Sequence, residues 1–185
     1  MNSHEQALAC IQANDIIGFR TVLSEIDANA HQGELLWTAA NLGCIDMVAD
    51  LLVVTDCQYY EDALMVAVRF EQEKCIELLL QHITSSPDSA LWMACEHNNV
   101  EQVHQILPHC NIYQNNCVLE LAVRTQNQDL FNQVYADSNL DQWKSHLSGT
   151  DEHRTMLRNN FQALYIHYCV HENLQTTPST VKRKM

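Results

Sequence analysis

Glycine occurs only four times in these 185 residues, and the chain holds no glycine-rich phosphate loop, no G-x-S-x-G and no H-E-x-x-H. Backbone cradles for phosphate generally depend on glycine, so the sequence argues against phosphoryl chemistry, and no convincing catalytic motif takes its place. Basic residues are scarce too. Ten Lys and Arg stand against 23 Asp and Glu, a formal charge of -13, which repels phosphate backbones and argues against nucleic-acid or anionic-membrane binding. Before Trp143 the balance is 20 acidic residues to four basic ones (Arg20, Arg69, Lys74, Arg124), whereas the tail ends in Lys182, Arg183 and Lys184. The eight cysteines (10, 44, 57, 75, 95, 110, 117, 169) form no C-x-x-C pair; several sit among alanines and leucines, where a reduced thiol serves as a small hydrophobe. No apolar run approaches the roughly 18 residues that span a bilayer, and the Met-Asn-Ser-His-Glu start has neither a charged nor an apolar leader segment. A cytoplasmic protein is expected.

What the chain does have is apolar residues, at 46%, enough to bury a core and to exclude global disorder. They recur with a period. The second members of the pairs Ala7-Leu8, Leu35-Leu36, Ala63-Leu64, Ala90-Leu91 and Val118-Leu119 follow one another at a spacing of about 28 residues, the mark of an internal repeat. Three residues after each leucine come Ile11, Ala39, Ala67, Ala94 and Ala122, where a small side chain lets two helices approach closely. About nine residues further on lies a second apolar set at helical spacing: Ile17, Phe19, Val22, Leu23; Ile45, Val48, Leu51, Leu52; Ile76, Leu78, Leu79, Leu80; Val100, Val103, Ile106, Leu107; and Leu130, Phe131, Val134. Each unit therefore reads as a short helix, a tight turn and a second short antiparallel helix. Isolated helices below about 12 to 15 residues are marginal in water, so the units must stack. Asn14-Asp15, Leu42-Gly43, Asn98-Asn99 and Gln126-Asn127 supply the turns.

The stretch Glu34-Leu35-Leu36-Trp37-Thr38-Ala39-Ala40-Asn41-Leu42-Gly43-Cys44-Ile45-Asp46-Met47-Val48-Ala49-Asp50-Leu51-Leu52 resembles the ankyrin repeat, whose core runs T-P-L-H-x-A-A-x-x-G-H-x-x-V-V-x-x-L-L. The resemblance covers residues 4–137 as five units. It departs from the family in lacking Thr-Pro, in keeping the turn glycine only at Gly43, and in placing Trp37, Met65, Trp92 and Glu120 where the motif has histidine. The period also falls short of the family's roughly 33 residues, and the shortage lies between units. The implied fold is all-α: an ankyrin-like helical-repeat solenoid of about five helix-turn-helix units with a C-terminal capping helix. The expected divisions are residues 1–137 for the array, 138–173 for capping helices and 174–185 for a disordered basic tail. Ser3 with Gln6 fits a capping box before the first helix. Ser148-Gly149-Thr150 reads as the turn before the last helix, with Met156, Leu157, Phe161, Leu164, Tyr165 and Tyr168 on one face.

The resemblance implies a concave groove lined by the residues five and six beyond each anchoring leucine: Asn41, Leu42, Arg69, Phe70, Glu96, His97, Arg124 and Thr125. Two of the acidic body's four basic residues lie on this line, beside a Leu and a Phe that no core pattern demands. Arginine and aromatic side chains dominate binding energy at protein interfaces. The loop pair Tyr59 and Tyr60 is expected to overhang the same groove. Trp37, Met65 and Trp92 are read as fillers between neighbouring units. The leading function is a protein-protein interaction module, an inhibitor, adaptor or scaffold, acting as a monomer on another protein. Such short-period arrays are similar to those that intracellular bacteria or large DNA viruses deploy in host cells, which points to an effector delivered by a non-classical route. Self-association through an uncapped edge is a further possibility.

The alternative is an enzyme or enzyme regulator with a site built from His153, His167 or Cys169 near the C-terminal helix. Of the ten histidines, His167 with His171, and His104 with His109 and Cys110, come nearest to metal-ligand spacing, yet neither group supplies the three or four ligands zinc needs. No metal or other cofactor is expected.

Overall fold

The computed structural model describes residues 2–110, 115–135 and 152–175, and every regular element among them is helical. The chain divides into two compact units, Met1–Asn111 and Ile112–Met185. The Ser148-Gly149-Thr150 turn and the tail beyond 175 lie outside the described residues. No helix among the described residues is long and apolar enough to cross a membrane.

The first unit holds four helical hairpins: α1 (Ser3–Gln12) with α2 (Ile16–Val22), α3 (Ala30–Asn41) with α4 (Ile45–Leu52), α5 (Tyr60–Arg69) with α6 (Glu73–Leu80), and α7 (Asp88–Glu96) with α8 (Val100–Ile106). Each first helix packs on the next first helix, α1 on α3, α3 on α5, α5 on α7, and the second helices do likewise. The anchoring positions explain why. Ala7, Leu35, Leu36, Ala63, Leu64, Ala90 and Leu91 are wholly buried, and so are Ile11, Ala39, Ala67 and Ala94. A Cβ methyl at these last three positions leaves room for a neighbouring helix. The opposite surfaces are held by larger side chains, among them Phe19, Val48, Leu51, Ile76, Leu79, Val103 and Ile106, each contributing about 1.5 to 3 kcal/mol on burial. Ile17 departs from the expected core set: it is 77% exposed, because the turn of α2 that buries Phe19 points its neighbour two residues earlier outward.

The five turns between paired helices share one backbone design. Asn14, Gly43, Glu71, Asn98 and Gln126 adopt φ of 52°, 69°, 56°, 56° and 55°, each one repeat period after the last. At each, the left-handed residue's N–H donates to the carbonyl three residues back, and the next N–H reaches the carbonyl five back. In the second hairpin these bonds are Gly43 to Ala40 at 3.2 Å and Cys44 to Ala39 at 2.9 Å; in the third, Glu71 to Val68 at 3.2 Å and Gln72 to Ala67 at 2.9 Å. This is the Schellman arrangement, which satisfies carbonyls that a helix end leaves unpaired. The residue that closes it often starts the next helix: Asp15, Asn99 and Asn127 accept from the N–H groups of Gly18, Gln102 and Leu130. Sequence reasoning finds four of these turns and not the third, since glutamate carries no signal for the left-handed region.

One other local expectation shifts. The capping box at the start of α1 is made by Asn2 and Glu5, one residue earlier than Ser3 and Gln6: Asn2 Oδ1 accepts from Glu5 N at 2.7 Å and Glu5 Oε2 from Asn2 N at 3.1 Å. Inside the first turn of α3, His31, Gln32 and Gly33 stand together in the left-handed region, at φ of 51°, 61° and 75°. A left-handed conformation costs an L residue about 1 to 2 kcal/mol, so this triplet is the most strained backbone among the described residues.

The second unit contains α9 (Asn115–Thr125), α10 (Gln128–Val134) and α11 (Glu152–Gln175). Phe131 and Tyr135 meet Phe161, Tyr165 and Tyr168 of α11 in an aromatic cluster, with Phe131 and Phe161 centroids 5.6 Å apart edge to face and Tyr135 and Tyr168 4.8 Å apart. Leu157 and Leu164 are buried on the same face, while Met156 is 40% exposed. Asn160 Nδ2 donates to the Val123 carbonyl at 3.1 Å, fixing α11 against the end of α9.

Candidate functional site

The Schellman turn fixes where the candidate binding residues stand. Its carbonyl acceptors come three and two residues before the helix cap, so the last helical residue and the cap itself carry side chains that the turn does not use. These are Asn41-Leu42, Arg69-Phe70 and Glu96-His97, with Arg124-Thr125, the last two residues of α9, in the corresponding place before the left-handed Gln126: the eight residues expected from the sequence. In the first unit α3 packs on α5 and α5 on α7, and the bonds from Gln72 to the Asn41 carbonyl and from Gln102 to the Val68 carbonyl tie the turns at their C-terminal ends, so three of the four pairs form a row. Leu42 is 48% exposed and Phe70 49% exposed. Arg69, Glu96 and His97 are exposed and Asn41 is half-buried. The Arg69 guanidinium carbon stands 5.8 Å from the Phe70 ring centroid, within the range of a cation-π contact. Arg124, half-buried, and Thr125, exposed, occupy the equivalent place in the second unit.

Tyr59 and Tyr60 do not join this row. Tyr60 is the first residue of α5 and Phe70 its cap; at 1.5 Å per residue they are about 15 Å apart along the helix. Tyr60 is also buried, its hydroxyl donating to the Leu52 carbonyl at 2.6 Å and near that of Thr55 at 3.1 Å. Burial pushes its hydroxyl pKa up. Tyr60 thus closes the end of α4, and Tyr59, half-buried, seats against the backbone of Gly33: a Cβ there would stand 2.8 Å from the Tyr59 Cβ. Tyr-Tyr before a helix reads as contact surface only while the neighbouring hairpin is ignored.

Of the expected fillers between units, Trp37 and Met65 are half-buried, but Trp92 is 52% exposed. Trp92 therefore belongs to the surface of α7.

The residues weighed for catalysis are dispersed. Burial raises the Cys44 thiol and pushes Cys75 up to about 11, leaving both as inert hydrophobes. His167 and Cys169 are two apart on α11 and so point to different sides of it. His167 borders a cavity of about 200 Å³ with Gln126, Gln128, Asn160, Ala163 and Leu164, whereas Cys169 is engaged by Tyr165, whose hydroxyl that hydrogen bond pushes up to about 12. The side chains of His153 and His171 lie outside the described residues. His104 gives its Nδ1 to the Val100 carbonyl of its own helix at 2.9 Å.

The histidines that do come together are not the ones that sequence spacing singles out. His4 on α1 and His31 and Glu34 on α3 bring one ligand atom each to within 4.8 Å of one another. The signal lies in the repeat itself, since His31 and Glu34 follow His4 by about one period and stacked hairpins set such positions side by side.

No known family model matches the chain, and no curated protein matches it either.

Proposed function

We propose that the chain is a protein-interaction module: its hairpins form an ankyrin-like stack, and a partner protein docks on the row formed by Asn41, Leu42, Arg69, Phe70, Glu96 and His97. The observation that carries this reading is the half exposure of Leu42 and Phe70 at equivalent caps of neighbouring helices. Nothing in the turn chemistry requires an apolar side chain there, since the polar His97 and Thr125 hold the same place in two other hairpins. Two adjacent half-exposed apolar side chains beside an arginine match the anchors of protein interfaces. The resemblance to ankyrin repeats is supported by the repeated hairpin, by the row of buried alanines and by the regular recurrence of the left-handed turn.

Arg69 and Phe70 replaced together by alanine provide the test. Both side chains are exposed, so the variant folds and melts as the parent does. A partner recovered with the parent by affinity purification, and identified by mass spectrometry, is expected to bind the double variant at least tenfold more weakly. Unchanged affinity with an intact melt would sink the assignment of this face.

A further inference from the structure

We propose that His4, His31 and Glu34 form a binding site for a divalent transition-metal ion of the imidazole-preferring kind, zinc being the type case, which ties the first hairpin to the second. Two imidazoles and a carboxylate are a donor set that holds Zn2+ with one position left for water. The geometry is close to that need. Zinc-ligand bonds of about 2.0 to 2.2 Å set tetrahedral ligand atoms about 3.4 Å apart. His4 Nε2 and Glu34 Oε2 are already 3.1 Å apart, and no ligand atom of the three is more than 4.8 Å from another. The ring of His31 stands 4.7 Å from that of His4, centroid to centroid. It belongs to an exposed side chain, free to rotate through the remaining distance.

The backbone marks the place as more than a chance cluster. The other left-handed residues among those described occur singly at helix ends, but His31, Gln32 and Gly33 are three in succession, and this turn is the one that carries a ligand. Strain of this kind persists where the surroundings fix it, and it gathers at binding sites. The repeat does not demand the cluster. One period on, the places of His4, His31 and Glu34 are taken by Gln32, Tyr59 and Asp62, and one further on by Tyr60, Ser86 and Ser89. The Nδ1 atom of His4 is buried and has no hydrogen-bond partner among the described residues, which bears on affinity: ligand histidines are ordinarily oriented by a hydrogen bond to the second nitrogen, and its loss weakens binding about 10- to 100-fold. Micromolar affinity is therefore expected, well short of a structural zinc finger.

Zinc chloride titrated calorimetrically into the full chain tests this, with Cys57→Ser as the parent because Cys57 is the exposed thiol among the eight cysteines. One equivalent is expected to bind, and His31→Ala and Glu34→Gln in that background are each expected to weaken it at least tenfold. Cobalt in place of zinc should give weak visible bands without an intense near-ultraviolet sulfur band. His31→Gly separates ligation from folding: it relieves the left-handed strain, so the metal-free variant melts higher than its parent while failing to take up zinc. The proposal is overturned if the parent takes up no zinc, if His31→Ala binds as the parent does, or if cobalt shows a sulfur band that survives His31→Ala.

Discussion

Replacing Gly43 by alanine should destabilise the first unit by about 2 kcal/mol, the balance of left-handed strain, unfolded-chain entropy and one lost hydrogen bond. Gly43 holds φ at +69°, and a Cβ there would meet the Oε1 of Gln72 and stand 3.0 Å from its Cδ. The left-handed conformation costs alanine about 1 to 2 kcal/mol. Reduced freedom of the unfolded chain returns about 0.4 to 1 kcal/mol. Gln72 must then move, and its Nε2 gives up the 3.1 Å bond to the Asn41 carbonyl, worth about 0.5 to 1.5 kcal/mol. Urea unfolding followed by circular dichroism measures the sum: with an m-value of about 1 to 3 kcal/mol/M, the midpoint should fall by about 1 M. The equivalent turn of the next hairpin offers an internal control. Glu71 holds φ at 56° without being glycine, so Glu71→Gly should stabilise by about 0.5 to 1 kcal/mol. In a Gln72→Ala background the Gly43→Ala cost should shrink by about 1 kcal/mol, the coupling of side chains in contact. Changes of the same sign at positions 43 and 71, or a Gly43→Ala effect below about 0.3 kcal/mol, would refute the claim that these two turns are one device.

Ala67→Leu should cost about 1 to 3 kcal/mol by overpacking, because Ala67 is wholly buried on α5 between α3 and α7; a stability equal to the parent's would mean the alanine row does not set helix spacing. Thiol titration of the native protein at pH 8 should modify Cys57 first and leave Cys75 unreacted until unfolding, since Cys57 is exposed and burial pushes Cys75 up to about 11. The same shift makes stability fall at alkaline pH: from the ordinary value of 9.0 to about 11 the unfolded thiol loses its proton while the native one keeps it, so stability is lost at about 1.4 kcal/mol per pH unit in that window. Cys75→Ala should flatten this part of the profile.

How much of this is legible in the sequence depends on whether one hairpin or two must be considered. The paired helices follow from apolar spacing within a single period, and the turns at Asn14, Gly43 and Asn98 announce themselves by residue type. The left-handed Glu71 does not, since there the two flanking helices impose the conformation over the residue's own preference. Tyr60 reads as surface because its partners, the Leu52 and Thr55 carbonyls, lie across a loop whose path the sequence does not state. The His4, His31 and Glu34 cluster needs the register of one hairpin on the next as well as a left-handed triplet that only Gly33 hints at. Of the ten expected contact residues, the eight defined by repeat position are found at the C-terminal ends of first helices, while Tyr59 and Tyr60 stand at the opposite, N-terminal end of α5.

Polar ties in the first unit join each hairpin to its neighbour. Arg20 on α2 forms a forked pair with Asp50 on α4 at 2.6 and 3.2 Å, Asn29 accepts from the Asp56 N–H at 2.7 Å, Gln72 donates to the Asn41 carbonyl, and buried Gln102 to that of Val68 at 3.2 Å. Along with the buried alanines, these bonds account for most of what a hairpin must present to the next one. The last helical residue and the cap are left over. Their backbones are bound into identical turns, yet their side chains run from Asn-Leu through Arg-Phe to Glu-His with no sign of a shared requirement. A position held rigid in its backbone and unconstrained in its side chain can change chemistry without cost to folding, which is the property a recognition surface needs and a core position lacks. Exchanging the pairs at 41–42 and 96–97 should accordingly leave unfolding within about 0.5 kcal/mol of the parent.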